Sequence, residues 1–260
     1  MTIGGGAAAF VAALVVLNLR EDVVLLTLML LIAIALAWVA LKSLPQYASI
    51  LNLLLNNGSV KEGQRLVYEG IPFKVDQLSF QTVLDNPWLE GDKLTIPVAS
   101  LLEMQSRPMS DAESWFPSQQ GDWVLLDDES LAQVRAQSFE AVELDLDGGA
   151  KRRLLSTSFI DMGPVNLSDG FEVSYLFRLK LGNALQTLPE TLAAMKLSVE
   201  QDLLRKLDAN AIVSLNIVLE DLIDNQQVLR LDASFTGQVA QHYSDLKDWA
   251  AMAVWHYALS

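Results

Sequence analysis

Hydrophobic and polar positions divide this chain into three stretches with different periods. From Met1 to Leu19 there is no charged residue, and from Val23 to Leu41 the only polar residue is Thr27. About 20 apolar residues at 1.5 Å rise span a hydrocarbon core of roughly 30 Å, so Val23–Leu41 predicts a membrane-crossing helix. The Met1–Leu19 run, glycine-rich at Gly4-Gly5-Gly6, predicts a second crossing. A signal peptide needs a positive start, and no Lys or Arg precedes Arg20. Asn18–Asp22 joins the two runs as a tight hairpin. After Lys42-Ser43-Leu44-Pro45 the run is expected to break, because proline removes a backbone donor and kinks a helix. Gln46–Leu55 then predicts a more amphipathic interfacial helix, stopped at Asn56-Asn57-Gly58.

Residues 59–162 change to a period of two, as in Val142-Glu143-Leu144-Asp145-Leu146. Three blocks recur in order at an offset of 58 or 59 residues. Glu62–Val67 matches Gln120–Leu125, Val75–Val83 matches Val134–Val142, and Ser100–Met104 matches Ser158–Met162. This order predicts a duplicated segment. Turn signals at Asp85-Asn86-Pro87, Glu90-Gly91-Asp92 and Asp147-Gly148-Gly149 cut each copy into short strands, hence a small barrel-like sheet in each. Beyond them, Phe171–Leu181 reads as a strand and Leu188–Leu207 as a helix with Thr187 as N-cap. Ile212–Leu222 and Gln227–Phe235 form a hairpin about Asp224-Asn225, and Val239–Leu259 is a final helix. The order β-α-β-β-α predicts a ferredoxin-like sheet with helices on one face. The expected domains are a transmembrane hairpin with its kinked pore and interfacial helix (1–58), a first β domain (59–104), a linker (105–120), a second β domain (121–164) and a C-terminal α/β domain (165–260).

Charge sharpens this division. Residues 1–58 carry only Arg20, Glu21, Asp22 and Lys42, which cancel, so the net charge of −14 falls on residues 59–260. So acidic a body excludes a typical nucleic-acid binder. With no Cys there is no disulfide and no thiolate metal site. Lys42, Lys61 and Arg65 follow the second span against Arg20 in the hairpin, a bias that favours a cytoplasmic C-terminus. Ala33, Ala37 and Ala40 fall at i, i+4 and i+7, a small-residue stripe that lets helix backbones approach closely in lipid.

Catalytic chemistry is not evident. His242 and His256, placed on one helix, would stand about 21 Å apart, too far for one metal. Asp145-Leu146-Asp147-Gly148-Gly149 starts like a calcium loop, but its later ligands fail, which leaves a hairpin turn. Asp127-Asp128-Glu129 reads as a solvated turn. Gly4-Gly5-Gly6 lacks the Lys-Ser/Thr of a phosphate loop. No active site, cofactor site or metal site is expected.

The order of these features resembles the small-conductance mechanosensitive channel family. The matching parts are the alanine-striped helix, the kink, the interfacial helix and the strand start Gly63-Gln64-Arg65-Leu66-Val67. Then follow Thr95-Ile96-Pro97-Val98, similar to the family's Ile-Pro-Asn turn, and Gly121-Asp122-Trp123-Val124-Leu125-Leu126. Pro164–Phe171 leads into βαββα. The resemblance implies two Sm-like β domains, a ferredoxin-like domain and a homoheptamer in the lipid of a bacterial inner membrane. That assembly would open under tension to release ions and osmolytes in hypo-osmotic stress. By position, Leu36, Val39, Ala40 and Ser43 would line the pore or gate, Ala33, Ala37 and Ala40 would pack between helices, and Pro45 would be the kink. Gating would follow from dewetting of a hydrophobic constriction. The acidic body would enrich cations near the pore.

Departures from the family pattern are also present. No glycine lies between Val23 and Asn57, Trp38 sits where a small residue is expected, Val98 replaces the Asn of the turn, and the β domain occurs twice. Lys42 near the cytoplasmic mouth reads as a snorkelling lysine. The first membrane helix usual in the family is missing, so the chain is expected to be a short member or a truncation. The alternative reading is a non-conducting membrane-anchored scaffold or accessory subunit on the same fold.

Overall fold

The computed structural model describes residues 12, 15, 23–91, 93–179, 188–208, 210–223 and 226–259. The expected Met1–Leu19 span (residues 12 and 15 aside, which are helical), the Asn18–Asp22 hairpin turn, the Thr187 cap and the Asp224-Asn225 turn lie outside them. The chain divides into two compact units. One runs from the N-terminal helix to Leu66 and adds Lys74–Leu84 and Leu94–Met109. The other holds Val67–Phe73, Asp85–Lys93 and the chain from Ser110 on.

The first unit begins with α1, Val23–Leu54, a single helix of 32 residues. The expected break at Pro45 does not divide it into two elements, because Pro45 lies inside the helix. Proline deletes only its own amide donor, and the turns on either side keep theirs. The Ser49 hydroxyl adds a bond of 3.0 Å to the Pro45 carbonyl. The helix stops as the sequence predicts, through asparagine. Asn56 takes a left-handed φ of 58°, its amide donates to the Leu53 carbonyl, and the Asn57 amide donates to that of Asn52. These two bonds are a Schellman closure, in which the left-handed residue turns the chain so that orphan carbonyls find donors. Leu53 is buried beside Gly58, where an added Cβ would come within 2.5 Å of Leu53 Cδ2.

Four strands follow: β1 (Arg65–Tyr68), β2 (Ile71–Gln77), β3 (Gln81–Asp85) and β4 (Leu94–Pro97). Neighbours in sequence are neighbours in the sheet. A 3-10 turn, Val98–Leu101, closes the segment. The second sheet has the order β8-β7-β6-β5-β9, with β5 (Trp123–Leu125), β6 (Leu131–Gln137), β7 (Ala141–Leu146), β8 (Lys151–Leu155) and β9 (Val165–Asn166). Helix α2, Ser156–Asp161, follows β8 as the 3-10 turn follows β4.

The same pattern of hydrogen bonds recurs within each sheet at the sequence offset. The Gly63 amide donates to Val75 at 2.8 Å and the Val75 amide to Gln64 at 2.9 Å. The Gly121 amide donates to Val134 at 2.7 Å and the Val134 amide to Asp122 at 2.8 Å. Both glycines have positive φ, 77° and 93°, a conformation in which a side chain would be strained.

Residues 105–120, expected to be a linker, also contribute a core residue. Phe116 is fully buried in the cluster of the second sheet, stacked on Phe159 with ring centroids 5.9 Å apart. The turn Asp127-Asp128-Glu129 is solvated as expected, and it is anchored. Asp128 accepts from Ser130 through hydroxyl and amide, and from Arg152 at 2.6 Å. The Ser130 hydroxyl, then Arg152, then the Ser130 amide hold the carboxyl at about 2, below the usual carboxylate range. A depressed carboxylate adds stability above its unfolded pKa and loses it as pH falls through the folded value. The contribution of Asp128 is therefore complete above about pH 4 and fades toward pH 2. In a carbon-detected NMR titration, Ser130→Ala should raise the Asp128 midpoint more than Arg152→Ala does.

The C-terminal sheet has the order β10-β12-β11, from β10 (Phe171–Leu179), β11 (Ile212–Ile223) and β12 (Gln226–Phe235). Both pairs are antiparallel, so β10 and β11 run parallel on either side of β12. Helix α3, Leu188–Leu204, connects them, and α4, Tyr243–Leu259, ends the chain's described part. Leu229, Leu231, Ala233 and Phe235 alternate onto one face with Met195, Val199 and Leu203 of α3 and Leu246, Ala250 and Val254 of α4. The opposite face is a polar ladder. Ser174 donates to Asp232 at 2.7 Å, and Arg230 bridges Glu220 at 2.9 Å and Asp232 at 3.0 Å.

Candidate functional site

The candidate site is α1. Its composition and 32-residue length, about 48 Å, suffice to cross a membrane, and none of its apolar window is buried inside the chain. An apolar surface of this size left bare on one chain marks an interaction surface. Thr27, the one polar residue of the Val23–Leu41 stretch, bonds its hydroxyl to the Val23 carbonyl at 2.6 Å. Its polar group is therefore satisfied within the helix.

One face gathers Ala33, Ala37 and Ala40. At about 100° per residue, Ala33, Leu36, Ala37, Ala40 and Ser43 fall within about 120° of the circumference, with Val39 about 40° beyond the Ser43 side of that arc. Leu36 and Val39 are 65% and 61% exposed. Ala33 and Ser43 are half-exposed and Ala37 and Ala40 exposed. The same side continues past Pro45 as an apolar groove of about 450 Å³ along Leu44, Tyr47 and Leu51, closed by Phe80.

Trp38 does not belong to this face. Its neighbours in sequence are Ala37 and Val39, but helical rotation turns it about 130° from the middle of the alanine stripe. Lys42 lies almost opposite the stripe by the same geometry.

The histidines are also relocated. His242 lies in the 3-10 segment Gly237–His242 that precedes α4, with its ring 5.3 Å from that of Trp249. The shared helix expected for the two histidines is therefore broken between them. His256 Nδ1 lies 3.6 Å from an Asp202 oxygen. Among the described residues, no group of three His, Asp or Glu side chains is placed to hold a metal ion. Asp145–Gly149 is a hairpin turn between β7 and β8, closed by the Leu146 amide to Ala150 at 2.7 Å.

A polar cluster that the sequence does not signal surrounds Gln137. The side chain is 1% exposed. Its amide nitrogen donates to the Trp88 carbonyl at 2.6 Å and to that of Ser118 at 2.8 Å, and its oxygen accepts from the Ser118 hydroxyl at 3.1 Å. Asn86, 5% exposed, donates to the carbonyls of Pro72 and Trp115. The only signal in the sequence was a polar residue at the end of an apolar strand.

No family model matches the chain, and no curated protein matches it. Among solved structures it is similar to Arabidopsis thaliana MSL1, with 12% identity and a TM-score of 0.36 over 53% of this chain and 50% of that one. It is also similar to Helicobacter pylori MscS in its closed state, with 16% identity and a TM-score of 0.39 over 54% of each chain. The chain spans about half the length of these structures.

Proposed function

We propose that the chain is a subunit of a membrane-embedded channel opened by tension. The observation that carries this reading is α1, a bare apolar helix whose Ala33, Ala37 and Ala40 share one side while Leu31, Ile34 and Trp38 lie on the other. Lipid suits the bulky side. The small side, Ala33, Ala37 and Ala40, suits close packing against further copies of α1. Leu36, Val39, Ala40 and Ser43 then face the axis of the ring, and Leu36 and Val39 form its hydrophobic constriction. Tension favours the state with the larger in-plane area, so it shifts the population toward the open ring. Pro45, which lacks a donor, is where the helix bends as the ring widens.

The remaining features fit the same reading. The hydrogen-bond pattern that recurs within each sheet supports a duplicated, Sm-like β domain. Parallel β10 and β11 around β12, with α3 between them, support a ferredoxin-like domain. In this assignment both are cytoplasmic, the membrane is a bacterial inner membrane crossed more than once, and the number of subunits is seven. The acidic body places a negative potential before the pore, so the channel prefers cations. A clear anion preference in reversal potentials at low salt would contradict that part.

The test is patch recording of the purified chain in liposomes. Stretch-activated steps are expected below lytic tension, and their absence at lytic tension would sink the channel reading in favour of a membrane-anchored scaffold. A paired substitution tests the face assignment. Ala37→Phe should abolish the steps and the oligomer seen by light scattering, because it holds helix backbones apart. Ile34→Phe, about 90° away from the stripe's middle, should leave both.

A further inference from the structure

The side of α1 opposite the alanine stripe carries its own pattern. Thr27, Leu31, Ile34, Trp38 and Lys42 follow at i, i+4, i+7, i+11 and i+15, within about 80° of the circumference. Trp38 is 72% exposed, and Leu31 and Ile34 are 59% and 57% exposed. We infer that this side is a lipid-contact face and that Trp38 and Lys42 form an anchor at the membrane–water boundary, with phospholipid as the partner. The inference rests on the reading of α1 as a membrane span and adds which side meets lipid and at what depth.

Three features carry it. Depth is the first. Lys42 is about 28 Å along the axis from Val23, close to the roughly 30 Å of a hydrocarbon core, and Trp38 lies one turn inside it. An indole has an apolar body and one N–H donor, so it is most stable at the headgroup level, where the ring meets acyl chains and the donor meets water or phosphate oxygens. Lysine one turn further carries its stem along the apolar layer and puts its ammonium among the phosphates.

Chemistry along the face is the second. Its single hydroxyl, Thr27, lies one turn inside the Val23 end of the span and bonds the Val23 carbonyl at 2.6 Å. In hydrocarbon an unsatisfied hydroxyl is costly, and this one needs no water and no neighbouring helix. The third is shape. Leu31, Ile34 and Trp38 are too bulky for the close backbone approach that the opposite alanine face permits.

The experiment uses the full chain in phospholipid liposomes. Because the chain has six tryptophans, the Trp38 signal is the difference between wild type and Trp38→Phe. Phospholipids brominated on the acyl chain near the headgroup, or at the bilayer centre, are the quenchers. The expected result is loss of the Trp38 emission with the shallow bromines and a smaller loss with the deep ones. In parallel, flotation of the liposomes at alkaline pH reports whether the chain spans at all. If the chain floats and Trp38 is unquenched by either lipid, the face meets protein or water and the inference is overturned while the span stands. If the chain does not float, the span itself is wrong and the inference falls with it. Stronger quenching by the deep bromines would overturn the boundary anchor. A Lys42→Leu variant that floats should shift Trp38 emission to the blue, as no charge then holds that end of the helix at the phosphate level. An unchanged spectrum would remove Lys42 from the anchor.

Discussion

Gly237→Ala is expected to destabilise the C-terminal domain by on the order of 4 kcal/mol or more, the scale reached only when backbone has nowhere to move. An ideal Cβ on Gly237 would lie 1.6 Å from the Ser168 carbonyl oxygen, 2.2 Å from its carbon and 2.8 Å from its Cα. None of these atoms is the loose end of a side chain. Ser168 is also held. Its hydroxyl accepts from the Trp123 amide at 2.8 Å, and its own amide donates to Asn166 Oδ1 at 2.9 Å. Gly237 is fixed from its own side, since the Thr236 amide donates to Ala211 at 2.9 Å. The methyl must therefore separate the segment after β9 from the segment after β12, along with the core under both. Against a total stability of about 5–15 kcal/mol, this change alone can unfold the domain. The comparison is Gly148→Ala. That position has a φ of 92° and nothing within 4 Å, so only left-handed strain applies, roughly 1–2 kcal/mol. Urea midpoints of the two variants in detergent, followed by tryptophan emission, separate the cases. A Gly237→Ala shift no larger than that of Gly148→Ala would show that the two segments can part at little cost.

Gln137→Leu is the second large effect. The substitution keeps an apolar side chain of related size but removes two donors and one acceptor. It leaves the Trp88 and Ser118 carbonyls and the Ser118 hydroxyl without the partner they have now. Ser118 is itself fully buried. Each orphaned buried group costs about 1–3 kcal/mol, so the sum is about 3–5 kcal/mol after local relaxation. Gln137→Leu with Ser118→Ala should cost less than the two single changes added, because the second removes one of the orphans. The damage should also be local. The Glu90 amide donates to the Gln137 main-chain carbonyl at 2.7 Å. Once Trp88 is released, hydrogen exchange at Glu90 should accelerate more than exchange in α4. Equal acceleration in both would mean that the cluster supports the whole unit rather than the strap at residues 86–90.

Much of this architecture was legible in the residues. Alternation in Val142–Leu146 and the glycines at 63 and 121 pointed to two related sheets, because strand period and positive φ are local properties. The helix stop at Asn56 was legible for the same reason, since a left-handed turn needs only the few residues that make it. The stripe at Ala33, Ala37 and Ala40 followed from helical spacing alone.

Other features depended on neighbours distant in sequence. Proline and serine marked residues 105–120 as a linker, and nothing local shows that Phe116 finds Phe159 forty-three positions later. Gln137 looked like any polar strand residue until Trp88 and Ser118 closed over it. His242 and His256 were placed on one helix because nothing in the sequence marks where the 3-10 segment gives way to α4.

The sequence by itself determined that an apolar helix joins an acidic body of short strands followed by an α/β layer. Hydrophobic content, period and turn residues act over a few positions, and they survive in any arrangement of the parts. Only the tertiary structure decided that α1 runs unbroken past Pro45, that Trp88 and Ser118 close over Gln137, and that Gly237 must have no side chain. Those outcomes depend on which atoms meet across the fold, and close packing makes such meetings specific to within a methyl group.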